Sequence, residues 1–180
     1  MFSKPHPVLR QALWAVVALL ALVALQCEAR EPVLESDLKA AFVFNFAVFT
    51  EWPQEVLPGG APIILCASPA GAMLASLGAL HDKVVNGHRL ALRSSAGTPR
   101  ACHVLVLEKS DRERWAQVKR ELAGAGVLTV SDDRVISADG AVIGLTIEAQ
   151  RIGFDVNLTA ARSARVNLSS KLLRLARSVQ

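Results

Sequence analysis

The sequence predicts an α/β fold: a single domain with a largely parallel central sheet flanked by helices, finished by a C-terminal antiparallel hairpin and a terminal helix. Three observations carry that prediction. Short apolar runs at 63–66, 103–108 and 127–130 have the length and composition of buried strands. Between them, 70–80 is a run of small residues suited to lying close on a sheet, and 111–123 places Trp115, Val118 and Leu122 on one helical face with charges on the other. Strand and helix therefore alternate, which favours parallel pairing with helices on both sheet faces. Residues 141–148 and 152–158 then alternate on either side of Gln150-Arg151, the pattern of an antiparallel hairpin.

Taken in order, residues 1–29 have the layout of a secretory signal. Lys4 and Arg10 form a basic start, 12–25 is an uncharged apolar run, and Cys27-Glu28-Ala29 puts small residues at −3 and −1. Cleavage after Ala29 would leave 30–180 as one domain. The apolar run, roughly 14 residues, is short of the ~20 that cross a bilayer, so no membrane insertion is expected after cleavage. Gln26 before Cys27 disfavours lipidation, and no twin arginine is present.

Ser36 or Asp37 is placed to cap a helix that runs to about Thr50. Leu38, Phe42, Phe46 and Phe49 recur on it at helical spacing with Asn45 in the same arc, while Val43 and Phe44 point elsewhere. So many apolar directions require the helix to be sandwiched or to serve as a contact surface. Pro53, Pro58, Gly59-Gly60 and Pro62 then make a loop before the first buried strand. Asn86-Gly87 sits inside 84–93 as a hairpin turn would. Gly124 and Gly126 stop the helix that carries Trp115, and Ser131-Asp132-Asp133 turns the chain at the end of a strand. Gly140 and Gly144 suggest close backbone approach. Leu168, Leu172, Leu175, Ala176 and Val179 mark a terminal amphipathic helix over 168–179, with Lys171, Arg174 and Arg177 on its wet side.

The chain is 52% hydrophobic and 20% charged, which excludes disorder, and its net charge of +4 is too small and too dispersed for nucleic acid. His81, His88 and His103 lack the short spacing of a metal site, and no nucleophile elbow, zinc-protease motif or phosphate loop is present. Neither cofactor nor catalytic residue is indicated. Ser131, Asp132 and Asp133 lie where α/β sheets commonly take ligands, at a strand's C-terminal end; a turn capping the next short helix is the alternative. An exported chain meets an oxidising compartment, so Cys66 and Cys102 are candidates for pairing. Cys66 falls late in its strand and Cys102 before the next, which puts them at opposite ends of a parallel pair unless the two strands are staggered.

Four stretches carry a resemblance. Asp37 and Lys39 precede Ala40-Ala41-Phe42 and Asn45-Phe46, with Glu51-Trp52-Pro53 closing the run. Cys102-His103-Val104-Leu105 opens the central strand, 127–132 reads VLTVSD, and Phe154-Asp155-Val156-Asn157-Leu158 is followed by Ala160-Ala161-Arg162 and 169–173. Together they resemble the YfiR-like (YfiR/HmsC) family of periplasmic regulatory proteins over about 35–179. At 140–145 the chain departs from the family pattern, which often has two glycines and an aromatic there. The resemblance implies a non-catalytic, periplasmic negative regulator that binds the sensor domain of an inner-membrane diguanylate cyclase and so restrains cyclic-di-GMP signalling and biofilm formation. It also implies a cysteine pair at Cys66 and Cys102, not always oxidised. The first helix, through Phe42, Phe44, Val48 and Trp52, and the terminal helix are candidate contact surfaces, and a homodimer could use the same faces. The family's reported ligand binders keep a periplasmic small-molecule role as the alternative, with Ser131, Asp132 and Asp133 as its site.

Overall fold

The computed structural model describes residues 34–95, 97–148 and 151–180. The expected signal segment and the hairpin turn at 149–150 lie outside the described residues. Residues 34–180 form one compact unit.

The chain opens with α1 (Glu35–Val48), followed by β1 (Thr50–Glu51), β2 (Ile63–Ala67), α2 (Leu74–Gly78), β3 (Val84–Val85) and β4 (His88–Ser94). Next come β5 (Val104–Leu107), α3 (Arg112–Glu121), β6 (Leu128–Ser131), α4 (Arg134–Ala138), β7 (Ile143–Glu148) and β8 (Arg151–Val156). It ends with α5 (Leu158–Ala164), β9 (Asn167–Leu168), α6 (Ser170–Leu175) and β10 (Ser178–Val179). Among the described residues the main sheet has the order β10-β8-β7-β6-β5-β2-β4-β3, with β1 and β9 paired apart from it. Its pairs are parallel except β7 with β8 and β3 with β4, so the expected mixed α/β fold and its hairpin stand.

Alternation along the strands divides the core between two faces. In β5, Val104 and Val106 join the cluster under α1, while Leu105 and Leu107 join the one under α3. The first cluster takes Ala40, Val43, Phe46 and Ala47 of α1, Leu77 of α2, Ala161 of α5 and Leu172 of α6. Trp115, Val118 and Leu122 of α3 fill the second, as their spacing predicts. The Asn86-Gly87 turn also forms as expected: both residues have positive φ, at 50° and 86°, and join β3 to β4. At Gly144 a β-carbon would stand 2.9 Å from the Ser137 side chain, the close approach its sequence suggests.

Three expectations need correction. The buried stripe of α1 is Ala40, Val43, Phe46 and Ala47; Leu38 and Asn45 are exposed and Val43 is buried. Small Ala40 and Ala47 let that side of the helix approach the sheet, a cue that the larger aromatic residues mask. The cap of α1 is Leu34, without a side-chain bond, rather than Ser36 or Asp37. The terminal helix stops at Leu175, which is 69% exposed. Ala176 is extended, Arg177 N–H donates to Phe154 O at 2.8 Å, and Ser178–Val179 pair parallel with β8. An open edge of β8 offers unpaired backbone groups there, and pairing with them replaces a further helical turn.

Cys66 and Cys102 form a disulfide with Cα atoms 5.8 Å apart. Strand β5 starts at Val104 opposite Leu65, two residues into β2, so the stagger that could bring the cysteines together is present. Both are buried in the cluster under α3.

Candidate functional site

Two regions hold the side chains that the sequence singles out. The first is the C-terminal end of the parallel strands. Ser131, at the end of β6, donates its hydroxyl to Leu107 O at 2.9 Å and accepts from Asp133 N at 3.1 Å. Asp133 then caps α4, accepting from Val135 N and Ile136 N at 3.0 and 3.1 Å, as the turn reading anticipates. Its carboxylate also takes the Arg112 guanidinium at 2.5 to 2.9 Å, and that cation holds it below the usual carboxylate range. Asp132 points the other way and accepts from Lys39 Nζ at 2.6 Å, while Lys39 also meets Glu35 at 2.7 Å. Burial lowers the affinity of Lys39 for its proton, but the two carboxylates outweigh it and the pKa is raised.

Strand order reverses between β2 and β5, and at the C-terminal ends of such a pair α/β proteins commonly take ligands. Here Glu108 fills the crevice. Its Oε1 accepts from Ala72 N at 3.0 Å, and a β-carbon on Gly71 would meet its Oε2 at 1.8 Å. Burial, followed by the nearby Asp132 charge, pushes the Glu108 carboxyl up. The sequence marks it only through Gly71, where an added side chain would meet the Glu108 carboxylate. Among the described residues no group of three or more His, Cys, Asp and Glu side chains is disposed to hold a metal ion.

The second region is the aromatic side of α1. Phe42 and Phe46 close on Phe154 of β8, with ring centroids 6.2 and 5.0 Å away. Phe44 carries Lys83 Nζ 5.8 Å above its ring, and Val48 is half-buried. Trp52 stands edge-on to His103 at 6.3 Å. His103 Nδ1 accepts from Ile64 N at 2.8 Å and Nε2 donates to Val56 O at 3.1 Å, so the ring serves as a neutral brace between β2 and the preceding loop. Phe42, Phe44, Val48 and Trp52 thus share one helix and its exit but differ in surroundings. All four are half-buried and packed against the cluster under α1, where Phe42 and Trp52 also meet other rings. Leu175 and Val179, from the C-terminal segment, are exposed elsewhere.

The four signature stretches meet in space. Lys39 of the first reaches Asp132 of the third, Trp52 of the first meets His103 of the second edge-on, and Phe42 and Phe46 close on Phe154 of the fourth. A model of the family described as YfiR/HmsC-like matches residues 36–177. Among solved structures, one of a conserved domain protein from Vibrio cholerae O1 biovar El Tor aligns with a TM-score of 0.51 at 12% identity. The alignment covers 81% of this chain and 60% of that one, so the chain spans about three-fifths of that protein's length, and the likeness is one of fold. No helix among the described residues is long and apolar enough to cross a membrane.

Proposed function

This chain belongs to the YfiR/HmsC-like family, and from that premise we propose that it is a periplasmic negative regulator that holds the sensor domain of an inner-membrane diguanylate cyclase without turning over a substrate. The observation that carries the reading is the family match across nearly all of 34–180, which at the family level supports a periplasmic regulatory role in cyclic-di-GMP signalling. Residues 1–29 would export the chain and be removed. Restraint then needs no chemistry. A regulator that binds the inactive sensor conformation more tightly than the active one lowers cyclase output, because at saturation it shifts the active-to-inactive ratio by the ratio of the two affinities.

Half-buried Phe42, Phe44, Val48 and Trp52 are the proposed contact set, and Phe44, whose ring meets the Lys83 ammonium and closes on no other aromatic ring among the described residues, is the one to alter. Titrating the purified protein with a soluble cyclase sensor domain tests this. Saturable binding at micromolar or lower concentration is expected, weakened about tenfold or more by Phe44→Glu, a loss of roughly 1.4 kcal/mol. Absence of binding at tens of micromolar contradicts the reading. Sedimentation of the protein alone separates partner binding from a homodimer built on the same face.

A further inference from the structure

At the opposite end of the sheet from Asp132, a groove of about 680 Å³ opens between α3, α5 and the starts of β6 and β7. Its volume falls within the range of small-molecule sites. Buried Trp115, Leu122, Val127, Val142 and Ala164 make the floor apolar. Of the polar atoms beside them, Thr129 Oγ1 accepts from Val142 N at 2.9 Å and Asn157 Oδ1 accepts from Ala160 N at 2.8 Å, while the buried Trp115 Nε1 has no partner among the described residues. No cradle of open backbone amides is therefore formed by these groups for a phosphate.

The charges lie at the rim. Lys119 donates to the Asp139 carboxylate at 3.1 Å and to its backbone carbonyl, so those two charges cancel. Arg120, exposed on the same lip, makes no side-chain hydrogen bond or ion pair among the described residues. The groove thus combines an apolar floor with one uncommitted guanidinium, whose planar fork matches a carboxylate. We propose that it binds a small organic carboxylate, with the apolar body on the Trp115 floor and the anionic head on Arg120. The inference stands apart from partner binding, because the groove is built from none of the α1 side chains assigned to the partner.

Calorimetric titration of the purified protein with octanoate and with indole-3-propionate tests it, with octanol and octylammonium as uncharged and cationic controls. At least one of the two anions is expected to bind at one site below about 1 mM, about tenfold or more tighter than both controls. Arg120→Glu, at an exposed position, is expected to remove at least that factor, and Ala160→Phe to block the groove. No saturable binding of either anion, equal binding of octanol, or unchanged affinity in Arg120→Glu overturns the proposal. Should Ala160→Phe fail to fold, the arginine variant and the ligand series decide the matter alone.

Discussion

His103 has to stay neutral to do what it does in this fold. Its Nδ1 accepts the Ile64 N–H, and a proton there would remove the acceptor. Burial, reinforced by the His88 and Arg93 charges, lowers its pKa below the ordinary histidine value, although the bond to Val56 O opposes the shift. The unfolded chain therefore takes up this proton first as pH falls. Stability from this residue is full above about pH 6.5 and is lost as pH drops from there toward the depressed folded value. Chemical denaturation at pH 7.5 and 5.5 should show that loss, and His103→Gln should make the two curves differ less. An equal difference in both proteins would place the pH dependence on other groups. That Asp133 would cap a short helix follows from its turn, whereas the bracing role of His103 depends on Ile64 and Val56, which its own neighbours do not reveal. The Lys39 to Asp132 link was not legible, because the pair joins segments far apart in the chain and neither residue shows a local pattern.

At the scale of elements, the disulfide fastens β2 to the entrance of β5. Closing its loop, with a sequence separation of 36, is worth about 3 to 4 kcal/mol in the chain-entropy model. Replacing both cysteines by alanine should lower unfolding free energy by about that amount, measured against guanidinium at pH 7. Because both cysteines are buried, thiol reagents should reduce the bond slowly unless the native state first opens. A loss well under 1 kcal/mol would show that the bridge contributes little to the constrained state. Elements with a complete local signature were readable: α3 by its Trp115, Val118 and Leu122 stripe, the β3–β4 turn by Asn86-Gly87, and the β7–β8 hairpin by alternation. Helix α5 was missed although Asn157 caps it, because Leu158 reads equally well as the continuation of β8. The two-residue strands β1, β9 and β10 are set by tertiary pairing and are too short to leave a pattern in the sequence.

For the molecule as a whole, the sequence conveys the layered fold through its strand and helix alternation and the family through stretches that come together only on folding. The fold occupies its own strand-end crevice with Glu108, and the larger groove opens at the opposite end of the sheet, between α3 and α5. That location was not legible, since it depends on how two helices separated by three strands flank the starts of β6 and β7. On the aromatic side of α1, Phe46 is fixed in the core and Phe44 is half-buried. The central claim is restraint of a cyclase by binding. Its most direct test is the cyclic-di-GMP output of a membrane-embedded cyclase that carries a periplasmic sensor domain, measured with the protein added on the sensor side. Output should fall saturably by about tenfold or more and return toward its starting level when Phe44→Glu replaces the native protein. Unchanged output at a concentration that saturates the sensor domain would contradict the account.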